Sequence, residues 1–307
     1  MNRIGHDQLF KQVLESFFPD FLRLFDPATA ARLDLTTATF RNPEVFIDLP
    51  QGERRTADIV AEVRSLEGEP ELVIVHVEIQ REREPHFGHR MWQYYVALRQ
   101  RENKPVIPIA LVFYAGREGI AREEYEEAVF GESILTFRYL QISLPLLRAE
   151  DYVQAEQVLG AGLASVMRLP RDRQAQIQLH LACLRRVHDA ERGGAVNAAQ
   201  AFLLVNLVAT YLPLTEEERE ALRVQLEQRG DVTMEATELT WADRISLRAR
   251  REYVRRAIQL RFGRVSPEVD ELVEATETEE GLTALFDRAV MAQNEDELLR
   301  PLDEAQS

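Results

Sequence analysis

The spacing of apolar and polar residues changes its period along the chain, and each change predicts a different kind of element. "HDQLFKQVLESFF" carries Leu9, Phe10, Val13, Leu14, Phe17 and Phe18 at helical spacing. Asp7 is placed to cap this helix, and Pro19 to open a short second one through "DFLRLFDP". Lys11 and Glu15, four residues apart, predict a surface pair worth only ~0.2–0.5 kcal/mol. From about Thr39 to Leu144 the periodicity becomes strand-like. "EVFIDL" and "RTADIVAEV" predict strands joined by a turn around Gln51 and Gly52, and a break at "EGEP" leads into "ELVIVHVEIQ". "HFGHRMWQYYVALRQR" returns to helical spacing, with Phe87, Met91, Tyr94 and Leu98 on one face and Arg90, Gln93 and Arg101 on another. "VIPIALVFY" is nearly continuously apolar, as a strand buried on both faces would be, and "ILTFRYLQISL" predicts a last strand.

Beyond about Glu150 the strand signals fade. "EDYVQAEQVLGAGLASVM", "RDRQAQIQLHLACLRRVHD" and "NAAQAFLLVNLVATYL" predict helices. Thr215 and Glu218 form a capping-box pattern before a helix that Gly230 would end, and Ser266-Pro267 opens another. The expected organisation is an α/β three-layer unit over residues 1–148, followed by a mainly helical C-terminal region over residues 149–307.

Composition narrows the class. The 307 residues are 45% hydrophobic and 29% charged, ordinary values for a globular protein. Cys183 is the single cysteine, which excludes an internal disulfide, argues against a structural zinc site and fits a reducing cytoplasm. "MNRIGHDQLF" lacks a signal-peptide pattern, and "AFLLVNLVATYLPL", interrupted by Asn206, is too short to span a bilayer, so no membrane association is expected. A net charge of −15 argues against general affinity for phosphate backbones but leaves room for local basic surfaces. Arg81, Arg83, Arg90, Arg99, Arg101 and Lys104 form one such cluster. Eight arginines between Asp243 and Arg264 form another, with Arg244, Arg248, Arg251 and Arg255 on one helical face. The alternative for both is a solvated face paired with nearby acids such as those of "EATETEE".

The chemistry concentrates on two strands. Glu78 and Gln80 share a strand face with His76, whereas Val73, Val75, Val77 and Ile79 take the other. A carboxylate in so apolar a strand is costly unless it is hydrogen-bonded or coordinates a metal. Asp58 on the neighbouring strand could complete a small magnesium site, since that ion takes one or two carboxylates plus waters and substrate phosphates. The competing reading is a pair of solvent-facing carboxylates, with Thr56 and Glu62 on the Asp58 face. His76 reads as a structural imidazole with a backbone partner, Cys183 as inert, and Trp92 and Trp241 as core or interface residues.

"HDQLFKQVL…FLRLFDP", "ADIVAEV", "VIVHVEIQ" and "FGHRMWQYY", in that order and spacing, resemble the recombination-promoting nuclease and transposase family of the PD-(D/E)XK nuclease superfamily. The resemblance covers roughly residues 5–145. It implies a restriction-endonuclease-like core and magnesium-dependent DNA endonuclease activity linked to recombination or mobile elements, with manganese as a substitute ion. By that resemblance Asp58 and Glu78 would ligate the metal, and Gln80 would stand where the superfamily has lysine and position water. Glu15 would be a weaker metal-site candidate. Ala57 departs from the proline of the superfamily's name. Gln80 is the larger departure, because a neutral amide cannot stabilise charge as an ammonium does, and losing one well-placed stabilising group costs ~3–4 kcal/mol of barrier. Arg90, Arg81 and Arg83 are the expected nucleic-acid contacts, and Arg90 a possible compensating cation. A homodimer would suit double-strand cutting. The alternative is a catalytically weakened nuclease-like module that acts as a DNA- or protein-binding scaffold.

Overall fold

The computed structural model describes residues 6–41, 46–48, 54–56, 58–67, 72–221, 234–276, 278–292 and 294–299. The expected turn at Gln51 and Gly52, the helix end at Gly230 and the position of Ala57 lie outside these residues. The chain is α/β and divides into two compact units. One holds Ile4–Val187 with Leu207–Leu214, the other chiefly His188–Asn206 with Thr215–Ser307.

The first unit is built on a mixed sheet of six strands: β1 (Leu33–Phe40), β4 (Ile59–Ser65), β5 (Leu72–Gln80), β6 (Val106–Val112), β8 (Glu132–Ser143) and β7 (Ile120–Val129), in that spatial order. β2 (Phe46–Asp48) and β3 (Arg54–Thr56) form a separate antiparallel pair. β1, β4 and β5 run antiparallel in succession, β5, β6 and β8 are parallel, and β7 returns antiparallel to β8. Parallel β5 and β6 need a crossover, which α4 (Phe87–Glu102) supplies. Its predicted apolar stripe packs on the sheet: Tyr94 and Leu98 cluster with Val60, Ile74 and Val106, while Phe87 and Met91 cluster with Ala110, Val112, Phe137 and Tyr139.

The N-terminal aromatic stripe forms α1 (His6–Ser16) and α2 (Phe18–Phe25), followed by the single turn α3 (Pro27–Ala30), with Phe10, Val13, Leu14, Phe17, Phe18, Phe21 and Leu22 fully or nearly fully buried. Pro19 opens α2 as expected, whereas Asp7 falls inside the first turn of α1 rather than at its cap. Phe10 meets Phe113 edge-on at 4.7 Å and Phe18 meets Phe40 at 5.6 Å, which ties these helices to the ends of β6 and β1.

Three strand expectations change. "RTADIVAEV" is interrupted, with β3 ending at Thr56 and β4 starting at Ile59, so Asp58 occupies a bend at the mouth of β4. Residues 33–40 and 120–129 form strands that the sequence pattern does not suggest. β7 escapes because it is an edge strand with polar residues exposed along its length. Glu62 is nearly buried rather than solvated, held by Lys104 at 2.6 Å and by Arg41, and these bonds keep its carboxyl below the usual glutamate range.

α5 (Ala149–Val153), α6 (Leu159–Leu163), α7 (Arg173–Arg192) and α8 (Ala198–Tyr211) follow the sheet. In the second unit the helix Met234–Phe262 packs Val254 and Ile258 against Val269, Val273, Leu282 and Leu285 of Pro267–Ala275 and Glu279–Met291. Arg255 donates to Asp270 at 2.6 Å and to Glu274, and Arg251 donates to the Thr276 carbonyl at 3.0 Å. These two arginines therefore serve helix packing, as the acid-paired reading expects. Ser266 caps its helix, and Thr215 and Glu218 form the reciprocal bonds of a capping box. Among the described residues no helix is long and apolar enough to cross a membrane.

β7 and β8 are joined by the two-residue turn Phe130–Gly131, with φ of 55° and 86°. Such a turn demands positive φ at both positions and favours Asn-Gly. Phe130 is fully exposed there, so its ring offers no burial against a left-handed backbone that costs a phenylalanine ~1–2 kcal/mol. Phe130→Asn is expected to stabilise the protein by roughly 1 kcal/mol, readable as a higher midpoint in urea with an unchanged slope.

Candidate functional site

β5 carries its polar residues on the α4 face. His76 is completely buried, and Glu78 and Gln80 are nearly so. Val73, Val75 and Val77 fill the opposite face, as alternation predicts. The β4–β5 register pairs Ile59 with Val77 and Val60 with His76, and one further step sets position 58 opposite Glu78. Asp58 Oδ2 accepts a hydrogen bond from the Ile79 backbone N–H at 2.8 Å, which fixes that carboxylate beside the β5 end. The two acids expected at the site are thus neighbours. Burial, and then the charge of Glu78, raise the Asp58 carboxyl above its ordinary 3.8, against the opposing effects of the Ile79 N–H and Lys11.

Each carboxylate has a cation. Lys11, on α1, places its ammonium 3.1 Å from Asp58 Oδ1. The expected Lys11–Glu15 pairing gives way to this tertiary contact. Glu15 stays exposed one turn further along α1, its carboxyl raised above the ordinary glutamate value by partial burial against the opposing Lys11 charge. Arg90 Nη2 lies 3.7 Å from Glu78 Oε1. The same guanidinium donates to Gln80 Oε1 and to Glu84 Oε2 and covers the Phe87 ring at 5.0 Å. Arg90 is therefore buried toward the sheet, not presented outward with Gln93 and Arg101. The physical reason is Glu78: a carboxylate on a covered face draws in the nearest guanidinium.

Gln80 is tied at both ends, its Oε1 by Arg90 and its Nε2 by donation to the Glu82 carbonyl at 2.6 Å. Arg81 and Arg83 lie exposed in the loop between β5 and α4, with Arg83 5.9 Å from the Tyr114 ring centre. His76 has no backbone partner among the described residues. Both ring nitrogens lack hydrogen bonds, and Nε2 stands 3.5 Å from Glu78 Oε2, itself without one. Cys183 is buried, and burial pushes its thiol up to about 12.

No protein-family model, curated protein or solved structure matches the chain. The chemistry of the site therefore stands on its own residues. Among the described residues, no three His, Cys, Asp or Glu side chains form a preformed metal cage. Two facing carboxylates with an orphaned, buried Glu78 Oε2 still fit a hard divalent cation, which binds oxygen and keeps much of its coordination in water and substrate phosphate. Lys11 and Glu84 are the contacts that the sequence reading missed. Both depend on tertiary proximity, although the buried Glu78 was itself a signal that a counter-cation must be near.

The raised Asp58 carboxyl has a definite sign for stability. The folded protein holds this proton to higher pH than the unfolded chain, so stability falls as pH rises from 3.8 through the folded value, and the penalty is complete above it. Asp58→Asn retains an acceptor for Ile79 and removes the charge. It should melt at a higher temperature than the parent protein at pH 7, and this advantage should shrink on acidification toward pH 4, as followed by calorimetry across pH.

Proposed function

We propose that the protein is a metal-dependent DNA endonuclease with a restriction-endonuclease-like three-layer core. The observation that carries this reading is the partly buried Asp58, held at the mouth of β4 by the Ile79 N–H, beside the buried Glu78 of β5, with a Glu78 oxygen left without a hydrogen bond. The mixed sheet, with α4 crossing between parallel β5 and β6, is compatible with such a core. In this reading Asp58 and Glu78 hold magnesium or manganese. The ion, when bound, supplies Lewis-acid charge for phosphodiester hydrolysis. The chain's own residues then orient the substrate. Arg81 and Arg83, exposed beside the β5 end, meet backbone phosphates, and Arg90 holds Glu78, Gln80 and the 81–86 loop in place. Two copies acting together would serve cleavage of both strands.

A second reading is favoured by the Gln80 amide and the two Arg90 Nη atoms, which are engaged with one another and with Glu82 and Glu84, whereas Arg90 Nε has no hydrogen-bond partner. Side chains so engaged with one another suit a scaffold that binds DNA or protein without cutting it.

Purified protein is expected to nick supercoiled DNA with magnesium or manganese and to be stabilised thermally by either ion. Asp58→Asn and Glu78→Gln should each reduce cleavage by at least ~100-fold and abolish the metal-induced rise in melting temperature. DNA affinity that is independent of metal, together with equal cleavage by parent and variants, would reject the hydrolytic reading in favour of the scaffold.

A further inference from the structure

The two cations at the carboxylate pair are not equivalent. Arg90 is fastened to Gln80 and Glu84, packed on Phe87 and nearly buried. Lys11 touches Asp58 through one ammonium contact, and its side chain is 28% exposed. Lysine carries its charge on a flexible stem with rotatable N–H donors, so it can change partners without dismantling a network. Gln80, whose amide is engaged at both ends, brings no charge.

We infer that Lys11 is the phosphate-directed cation of this site: it neutralises Asp58 in the resting protein and turns to a non-bridging phosphoryl oxygen when Asp58 is engaged by a divalent cation. This rests on the hydrolytic reading above. In the reaction, water oxygen forms the new bond to phosphorus and the bond from phosphorus to the leaving sugar oxygen breaks. The water proton passes to solvent, and the leaving oxygen takes a proton from solvent. Lys11 keeps its protons throughout and faces the charge that gathers on the non-bridging oxygen.

A distinctive consequence follows, because Lys11 and a divalent cation compete for Asp58 Oδ1. Removing the ammonium should tighten metal binding while slowing hydrolysis. A merely structural lysine would weaken both together. The full chain and its Lys11→Met, Lys11→Gln, Lys11→Arg, Asp58→Asn and Glu78→Gln variants would be titrated with magnesium and with manganese by calorimetry. Each would also be assayed for single-turnover nicking of supercoiled DNA.

Lys11→Met and Lys11→Gln should bind the ion roughly twofold to fivefold more tightly, the worth of a partly exposed ion pair. They should cut ~100- to 1,000-fold more slowly, the effect of losing one charge-stabilising group. Lys11→Arg should recover part of the rate. If Asp58→Asn and Glu78→Gln lose cleavage while the neutral Lys11 variants cut within twofold of the parent, Lys11 is not this cation and the hydrolytic reading survives. Metal binding weakened in step with cleavage in the neutral variants overturns the inference in the same way. If the parent protein neither binds the ions nor cuts, the hydrolytic reading fails and the inference falls with it.

Discussion

Glu78 on the covered face of a central strand is the constraint around which the first unit is arranged. An ionised carboxylate cannot stay in such a place without compensation. The crossover helix meets that need through Arg90, which faces inward instead of into water. Arg90 in turn gathers Gln80 and Glu84, so the chain leaving β5 is drawn back over the start of α4. Asp58 repeats the problem one strand away, and there the compensation comes from Lys11 on α1. Elements distant in sequence thus converge on two acids.

The compensation is incomplete. Glu62, on the same strand as Asp58's neighbours, shows what full compensation looks like: two cations hold it and lower its carboxyl. Asp58 has a lysine and a backbone N–H, yet burial and Glu78 still prevail and raise it. Glu78 keeps an oxygen without a hydrogen bond, beside an imidazole whose nitrogens also have none. A protein selected for stability alone would neutralise such groups, as it has neutralised Glu62. Residual electrostatic tension localised at one pair is the pattern expected where function is kept at the expense of stability.

The strands and helix that carry the site were legible because their periodicities were clean. Val73, Val75 and Val77 alternate with His76, Glu78 and Gln80, and Phe87, Met91, Tyr94 and Leu98 recur at helical spacing. β7 was not legible, because "AREEYEE" faces water along an edge and loses the apolar signal that marks a covered strand. The bend at Asp58 was hidden inside a run of strand-forming residues. Spacing pairs Lys11 with Glu15 because it reveals neighbours on one helix, not an acid 47 positions away at the mouth of a strand. Spacing turns Arg90 outward for a similar reason: a helical arginine is ordinarily solvated, and only the carboxylate beneath it reverses the preference.

The bond from the Ile79 N–H to Asp58 Oδ2 also makes the site a product of strand register. The acid occupies a main-chain donor at the end of the β4–β5 ladder, so its distance from Glu78 is measured by the interstrand pitch of about 4.8 Å rather than by free side-chain torsions. A slip of one residue between these strands would turn Glu78 to the valine face and carry Val77 to its place. The pairing of Ile59 with Val77 is therefore the alignment on which the meeting of the two acids rests.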